Sequence, residues 1–391
     1  MLAPKKLIKK YLWLCASLIL LLNGCVPQRS YEAALILADT AAREAPSRWK
    51  STTPTPSQAG VTYTVAGRTH QGTLYLPAAA PPRAGIVLVP GVVPLGKDDP
   101  RLVAFANTLA RARFAVLTPE LKEFQHLQVR TRHPRVIADA LAYLADRPDL
   151  VPSDHLGFGA FSFSVGLAVI ASLEEDIRAQ VQFIFGVGGY YDLETAIRFF
   201  TTGYLSESEH DLEPSQYGKL IFAATSLKYL TNPADRAVLK EMINIKIRNP
   251  DADITFLAPR LGPQGKAVYS LLNNTDPAQV SPLIQALPQG LRQLIENLSL
   301  SNQDLTPIQA QVILVHGKDD PLIPYTESIA LANALPPKQA KLYIIEQTLT
   351  HVDFKFRSFF TPAFWSHELP DLWRMYRAIY LLLGKRAPTD P

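Results

Sequence analysis

The chain has 391 residues, 47% of them apolar, with mean hydropathy near zero at +0.04, and this composition excludes a disordered protein. That length exceeds what one ordinary core needs and predicts a core with a large insertion or a second domain. The formal charge of +4 comes from Lys5, Lys6, Lys9 and Lys10, in an acid-free stretch over residues 1–24; taking these four from the 39 basic residues leaves 35 against 35 acidic ones. A basic balance confined to the first residues is no argument for nucleic-acid binding.

The four lysines precede an apolar run, Tyr11 to Leu22. It is too short to span a bilayer, which takes roughly 20 residues, and has the layout of a secretory leader. The sequence Leu22-Asn23-Gly24-Cys25 that ends it resembles the lipobox of bacterial lipoproteins. The resemblance implies a signal peptide over 1–24, cleavage before Cys25, and acyl chains such as palmitate on that cysteine. It thus implies a membrane anchor in the bacterial envelope. Val26, where an aspartate is absent, implies the outer membrane facing the periplasm. An ordinary leader cut elsewhere is the competing reading. Once the leader is gone Cys25 is the only cysteine, so no internal disulfide or paired-cysteine metal site is available.

Residues 25–60 read as a tether with a short helix, Tyr31 to Ala45, behind a cap at Ser30, and Thr52 to Ser57 breaks regular structure. Val61–Val65 and Gly72–Leu76 flank Gly67 as an antiparallel pair. Buried strands then alternate with helices: Gly85–Val89, a helix over Arg101–Arg111, Phe114–Leu117, a helix over Val136–Leu144, Leu156–Phe161 and Val181–Phe185. Apolar strands alternating with helices imply an α/β fold with a mostly parallel sheet covered on both faces. From 192 to 306 helical patterns take over, at Ser215–Leu230, Pro233–Arg248, Gly265–Leu272 and Pro282–Leu298. This span reads as a helical cap inserted into a core made of 61–191 and 307–391. Gln311–Gly317 and Leu342–Ile345 resume the sheet, and Leu372, Met375, Tyr376, Ile379 and Leu383 mark a closing helix.

Leu156–Phe161 runs into Ser162-Phe163-Ser164-Val165-Gly166, an imperfect G-x-S-x-G that reads as a nucleophile elbow, where a strand delivers a serine onto a strained turn. Ser162 has small residues two positions away on both sides, Ala160 and Ser164; Ser164 has Gly166 on one side and Ser162 on the other. A strand of about five or six residues ends at Phe161 and favours Ser162 on the turn, with Ser164 in the first turn of the helix. Both remain candidates, beside the plain reading of a serine-rich helix start.

Further on, His316-Gly317-Lys318-Asp319-Asp320-Pro321-Leu322-Ile323-Pro324 places acids where a strand leaves the sheet, and His351 follows the next strand. The order Ser, Asp, His is that of an α/β-hydrolase triad. From Val61 onward, the insertion apart, the chain resembles the α/β-hydrolase superfamily, within it the esterase and dienelactone-hydrolase-like group. His316, Gly317, Asp320 and Pro324 match the H-G-x-x-D-x-x-x-P motif of that group. The resemblance implies Asp320 as the acid and His351 as the base, although Thr350 stands where the group usually has glycine. It also puts the oxyanion loop at Pro90-Gly91-Val92-Val93. The backbone N–H groups would then be those of Val92 and of the residue after the nucleophile, Phe163 if Ser162 attacks or Val165 if Ser164 does.

The other candidates read as structural. Asp319 is an exposed loop acid and His316 a packing or turn residue, while Tyr190, Tyr191 and Asp192 either line the pocket or make a turn. No glycine run forms a dinucleotide fingerprint and no histidine spacing suggests a metal, so no cofactor is implied. The expected substrate is a small-molecule acyl ester, less readily a thioester or amide, and no nucleic-acid partner is expected. In the cap, Leu220, Ile221, Leu227, Tyr229, Tyr269 and Leu272 either line a pocket or form the cap's own core. Two rivals stand beside a serine esterase. One is an inactive hydrolase-fold lipoprotein that binds a partner or lipid; the other is an acyltransferase using the same triad.

Overall fold

The computed structural model describes residues 27–152, 154–205, 212–353, 366 and 368–388; Cys25 and the leader lie outside them. Eight strands make one sheet: β1 (Ser57–Val65), β2 (Arg68–Leu76), β3 (Ala84–Val89), β4 (Phe114–Pro119), β5 (Leu156–Phe161), β6 (Val181–Val187), β7 (Gln311–Gly317) and β8 (Ala340–Ile345). Across the sheet they run β1-β2-β4-β3-β5-β6-β7-β8. The first two form the expected antiparallel pair and β2 is antiparallel to β4, while β3 to β8 are parallel to one another. The chain leaves β3 for β4 on one side and returns as β5 on the other. The carboxyl ends of β3 and β5 therefore flank a topological switch point, where open sheets of this kind hold their sites.

The helices are α1 (Gln28–Ala42), α2 (Arg48–Thr52), α3 (Pro100–Arg111), α4 (His133–Ala145), α5 (Ser164–Ala171), α6 (Leu193–Thr202), α7 (Gln216–Ser226), α8 (Pro233–Arg248), α9 (Pro263–Leu272), α10 (Val280–Gln285), α11 (Gln289–Leu298), α12 (Tyr325–Ala334) and α13 (Leu369–Leu383). Every residue of β3 and β4 is buried, because both faces of the sheet are covered. Alternate residues serve the two layers. Val87 and Val89 pack with Ile137, Leu141 and Val165 beneath α4 and α5. Ile86 and Leu88 pack with Leu109 and Ile379 beneath α1, α3 and α13. None of the described helices is long and apolar enough to cross a membrane.

Local chemistry accounts for the departures from the sequence reading. α1 starts at Gln28 behind Pro27, not behind a cap at Ser30, and no side chain caps it. Tertiary bonds hold it: Arg29 Nε donates to the Tyr380 carbonyl at 2.7 Å, and Arg386 pairs with Glu32 at 2.6 Å, tying the first described helix to the last. The expected break over Thr52–Ser57 is shorter, since Thr52 closes the unanticipated α2 and Ser57 opens β1, which leaves residues 53–56 between them. The single helix expected over Pro282–Leu298 is two, because Pro288 has no N–H to continue the ladder and instead becomes the N-cap of α11. Helices α6 and α12 were not anticipated. Asp192 starts the first by accepting from the Thr195 N–H at 2.9 Å, and Pro324 precedes the second. Between β6 and β7 the described residues form helices and loops without a strand.

Candidate active site

Ser162 sits between β5 and α5 with φ +58°, the left-handed region that a residue with a Cβ avoids. Such a backbone costs on the order of 1–3 kcal/mol and persists only where its surroundings over-determine it. Here β6 fixes it, since the Ser162 N–H donates to the Val187 carbonyl at 2.7 Å. The same turn leads directly into α5, whose first residue is Ser164. The Ser164 side chain is fully buried and its hydroxyl donates to the Pro90 carbonyl at 2.5 Å. Of the two candidate serines, one stands on the strained turn and the other ties the turn to the end of β3. Gly166 is required by close approach, because a Cβ there would run into the Tyr190 ring.

The acid and the histidine meet. His351 Nδ1 lies 2.6 Å from Asp320 Oδ2, and Asp320 is fully buried. Asp320 Oδ1 accepts from the N–H groups of Leu322 and Ile323 at 2.8 and 3.1 Å. A second histidine completes the cage. His316 Nε2 lies 2.9 Å from the Ile323 carbonyl and 3.2 Å from Asp320 Oδ2, while Nδ1 lies 2.6 Å from the Ser328 hydroxyl. A carbonyl can only accept, so Nε2 donates to Ile323. Burial alone would raise the Asp320 carboxyl, but His351 and His316 outweigh it and hold the group well below the usual carboxylate range. Sequence reading gave His316 only a packing or turn role, and its spacing from Asp320 did not by itself set it apart. The motif glycine also has a cause. A Cβ at Gly317 would collide with the carbonyls of Leu349 and Thr350, so only glycine lets the histidine loop lie against the end of β7.

Ser162 and His351 line one cavity of about 640 Å³, together with Val92. Among the described residues, neither the Val92 nor the Phe163 backbone N–H donates a hydrogen bond, so both are free for an incoming oxygen. The Val92 carbonyl accepts from the Tyr217 hydroxyl of α7 at 3.0 Å, a link from the insertion that sequence reading missed. A second cavity of about 70 Å³ meets Ser162 on the insertion side, walled by Phe163, Tyr190 and Ile221 among others. Asp319 is exposed. Tyr190 is buried, its hydroxyl donating to the Leu298 carbonyl at 2.8 Å, and Asp192 is a helix cap. Among the cap residues proposed from sequence, only Ile221 lines either cavity; Leu272 is buried in the core and Leu220, Leu227, Tyr229 and Tyr269 pack against it.

At the solvent end, Asp353 pairs with Arg43 at 2.5 Å and Arg101 at 3.5 Å, and Arg101 pairs with Asp99 at 3.0 Å. The Asp353 carbonyl accepts from the Thr350 N–H at 3.1 Å, so the loop carrying His351 is anchored to α1 and α3.

No family model matches the chain, and no curated protein matches it. Solved structures do. The chain is similar to a protein of Legionella pneumophila assigned as a hydrolase, at 13% identity and a TM-score of 0.53, covering 85% of this chain and 91% of that one. Dienelactone hydrolase of Anabaena variabilis matches at 16% identity over 86% and 100% of the two chains, with a TM-score of 0.42. A thermostable carboxylesterase cloned from a metagenomic library matches at 14% identity over 92% and 96%, with a TM-score of 0.46. With the strand order and the serine turn after β5, the fold is that of an α/β-hydrolase.

Proposed function

We propose that the protein is a serine hydrolase of carboxylic esters, with Ser162 as nucleophile, His351 as base and Asp320 as acid. One observation carries the reading: a buried carboxylate holds His351 by Nδ1 at 2.6 Å, and that imidazole shares a cavity with a serine on a strained turn. With Nδ1–H committed to Asp320, Nε2 is left to take the Ser162 proton. The Ser162 oxygen then bonds to the ester carbonyl carbon, and the Val92 and Phe163 N–H groups stabilise the resulting oxyanion. The bond to the alcohol breaks as His351 returns the proton to it. Water, deprotonated by the same histidine, releases the acid and restores Ser162. Ser164 takes no part, its hydroxyl being spent on Pro90.

The test is covalent labelling of the full chain with a fluorophosphonate, followed by peptide mapping. Modification at Ser162 that disappears in His351→Ala supports the scheme. A folded protein labelled at neither serine overturns it. In the same reading Cys25 carries lipid and holds the enzyme at the outer membrane, facing the periplasm. Incorporation of a palmitate analogue that is lost in Cys25→Ala tests this.

A further inference from the structure

We propose that the ester carries a long unbranched hydrocarbon chain, and that this chain lies between the sheet and helices α1, α3 and α13. The inference rests on Ser162 being the nucleophile and names its substrate class.

Native interiors hold few voids larger than a water molecule. A cavity of about 640 Å³ opening beside Ser162 is therefore a built space. At roughly 30 Å³ per water-sized group it has room for on the order of twenty such groups, far more than an acetyl ester fills. Its floor is Phe185, Val187 and Val315, on one face at the carboxyl ends of the adjacent strands β6 and β7. Its roof includes Leu37 of α1, Phe105 of α3, and Ala378 and Ile379 of α13. The side chains of this floor and roof carry no polar group. Thr40 also lines the cavity, but its hydroxyl is committed to the Ile36 carbonyl of its own helix at 2.8 Å. The charged lining residues Arg43, Arg101 and Asp353 are about half exposed and paired with one another at the solvent end, where the more buried Asp99 is held by Arg101 and the Tyr217 hydroxyl by the Val92 carbonyl. Between floor and roof, a wall whose described side chains are mostly hydrocarbon selects a hydrocarbon occupant, because a polar one would lose most of its hydrogen bonds to water without replacement. The cavity on the insertion side, about 70 Å³, leaves room for only a small group across Ser162. The two together fit an ester with one long arm and one short arm.

The long arm is either the acyl chain or the alcohol. Two substrate series separate these sources: p-nitrophenyl esters of straight-chain acids from two to sixteen carbons, and acetate esters of straight-chain alcohols over the same range. For the full chain, kcat/KM should rise at least tenfold from the shortest to the longer members in one series, and that series names the arm. Ala378→Trp, which fills the roof, should shift the preferred length shorter and lower the long-to-short ratio at least tenfold. Should that variant not fold, Leu37→Trp on α1 makes the same test from another helix. A wild-type profile that is flat or falls with length in both series overturns the inference, whatever the variants do. If Ser162 is labelled by a fluorophosphonate while both profiles are flat, this inference alone fails. If no ester is hydrolysed and no serine is labelled, the serine-hydrolase reading fails and takes this inference with it.

Discussion

The two sides of Ser162 differ sharply. Toward the insertion, the space is small, bounded by Tyr190 tilted against Phe163 at 4.6 Å between ring centres and by the helices that pack on α5. Toward α1, α3 and α13, a large hydrocarbon-walled cavity remains. Both sides are built from amphipathic helices on a twisted sheet, so helix content does not separate them. Packing does: the insertion brings Leu271, Leu291 and Leu298, all essentially unexposed, into one continuous core. The helices from the two ends of the chain meet each other and arch over the sheet. The insertion, whose apolar residues read from sequence as either a pocket lining or a core, is the well-filled side.

The largest expected effect tests the junction itself. Ser162→Ala or Asp320→Asn should lower ester turnover on the order of 10⁴-fold, while Ser164→Ala should retain turnover and lose stability through the orphaned Pro90 carbonyl, about 1–3 kcal/mol. Steady-state kinetics and denaturant melts separate these outcomes. Next comes packing. Ile184 of β6 is fully buried in the filled layer, whereas Ile379 of α13 borders the large cavity. Truncation to alanine costs roughly 2–5 kcal/mol depending on how tightly the side chain was packed, so Ile184→Ala should fall at the upper end and Ile379→Ala at the lower. Equal values from urea unfolding would erase the contrast between the two sides.

A third prediction concerns how the insertion is attached. Glu327 of α12 is buried and accepts from the N–H groups of Tyr191 and Asp192, at 2.8 and 2.7 Å, where the chain leaves the sheet. Burial pushes its carboxyl up to about 7, against the pull of those two donors. A carboxyl raised on folding binds more protons in the folded state, so its contribution is complete below about pH 4.5 and is lost as pH rises through about 7. At 1.36 kcal/mol per unit the change amounts to about 3 kcal/mol, and Glu327→Gln should flatten the fall in Tm across that window. The smallest effect should come from Tyr217→Phe, which removes the hydroxyl that the Val92 carbonyl accepts. A loss of about 1 kcal/mol in transition-state stabilisation, read as kcat/KM, would show that the insertion steadies the oxyanion loop.

The sheet was legible because strands buried on both faces are unbroken apolar runs, and Gly85 to Val89 or Val181 to Phe185 can hardly be read otherwise. The serine register was legible for a related reason, since strand length alone favoured Ser162 for the turn. The His316 cage was not, because a histidine at a strand end looks the same whether it packs or holds a carboxylate four residues on. α12 is nearly without amphipathic contrast, so periodicity had little to detect. α1 looked like a tether because sequence shows an amphipathic stripe but not what the stripe covers, and its partner α13 lies more than three hundred residues away.

That separation bears on synthesis. The roof of the large cavity joins the first described helix to the last, through Arg29 to the Tyr380 carbonyl and Glu32 to Arg386. A ribosome releases α1 long before α13 exists to meet it. The sheet and the insertion can therefore condense while the cavity still lacks one wall, and the oily cleft gains its full roof only when the last described helix docks.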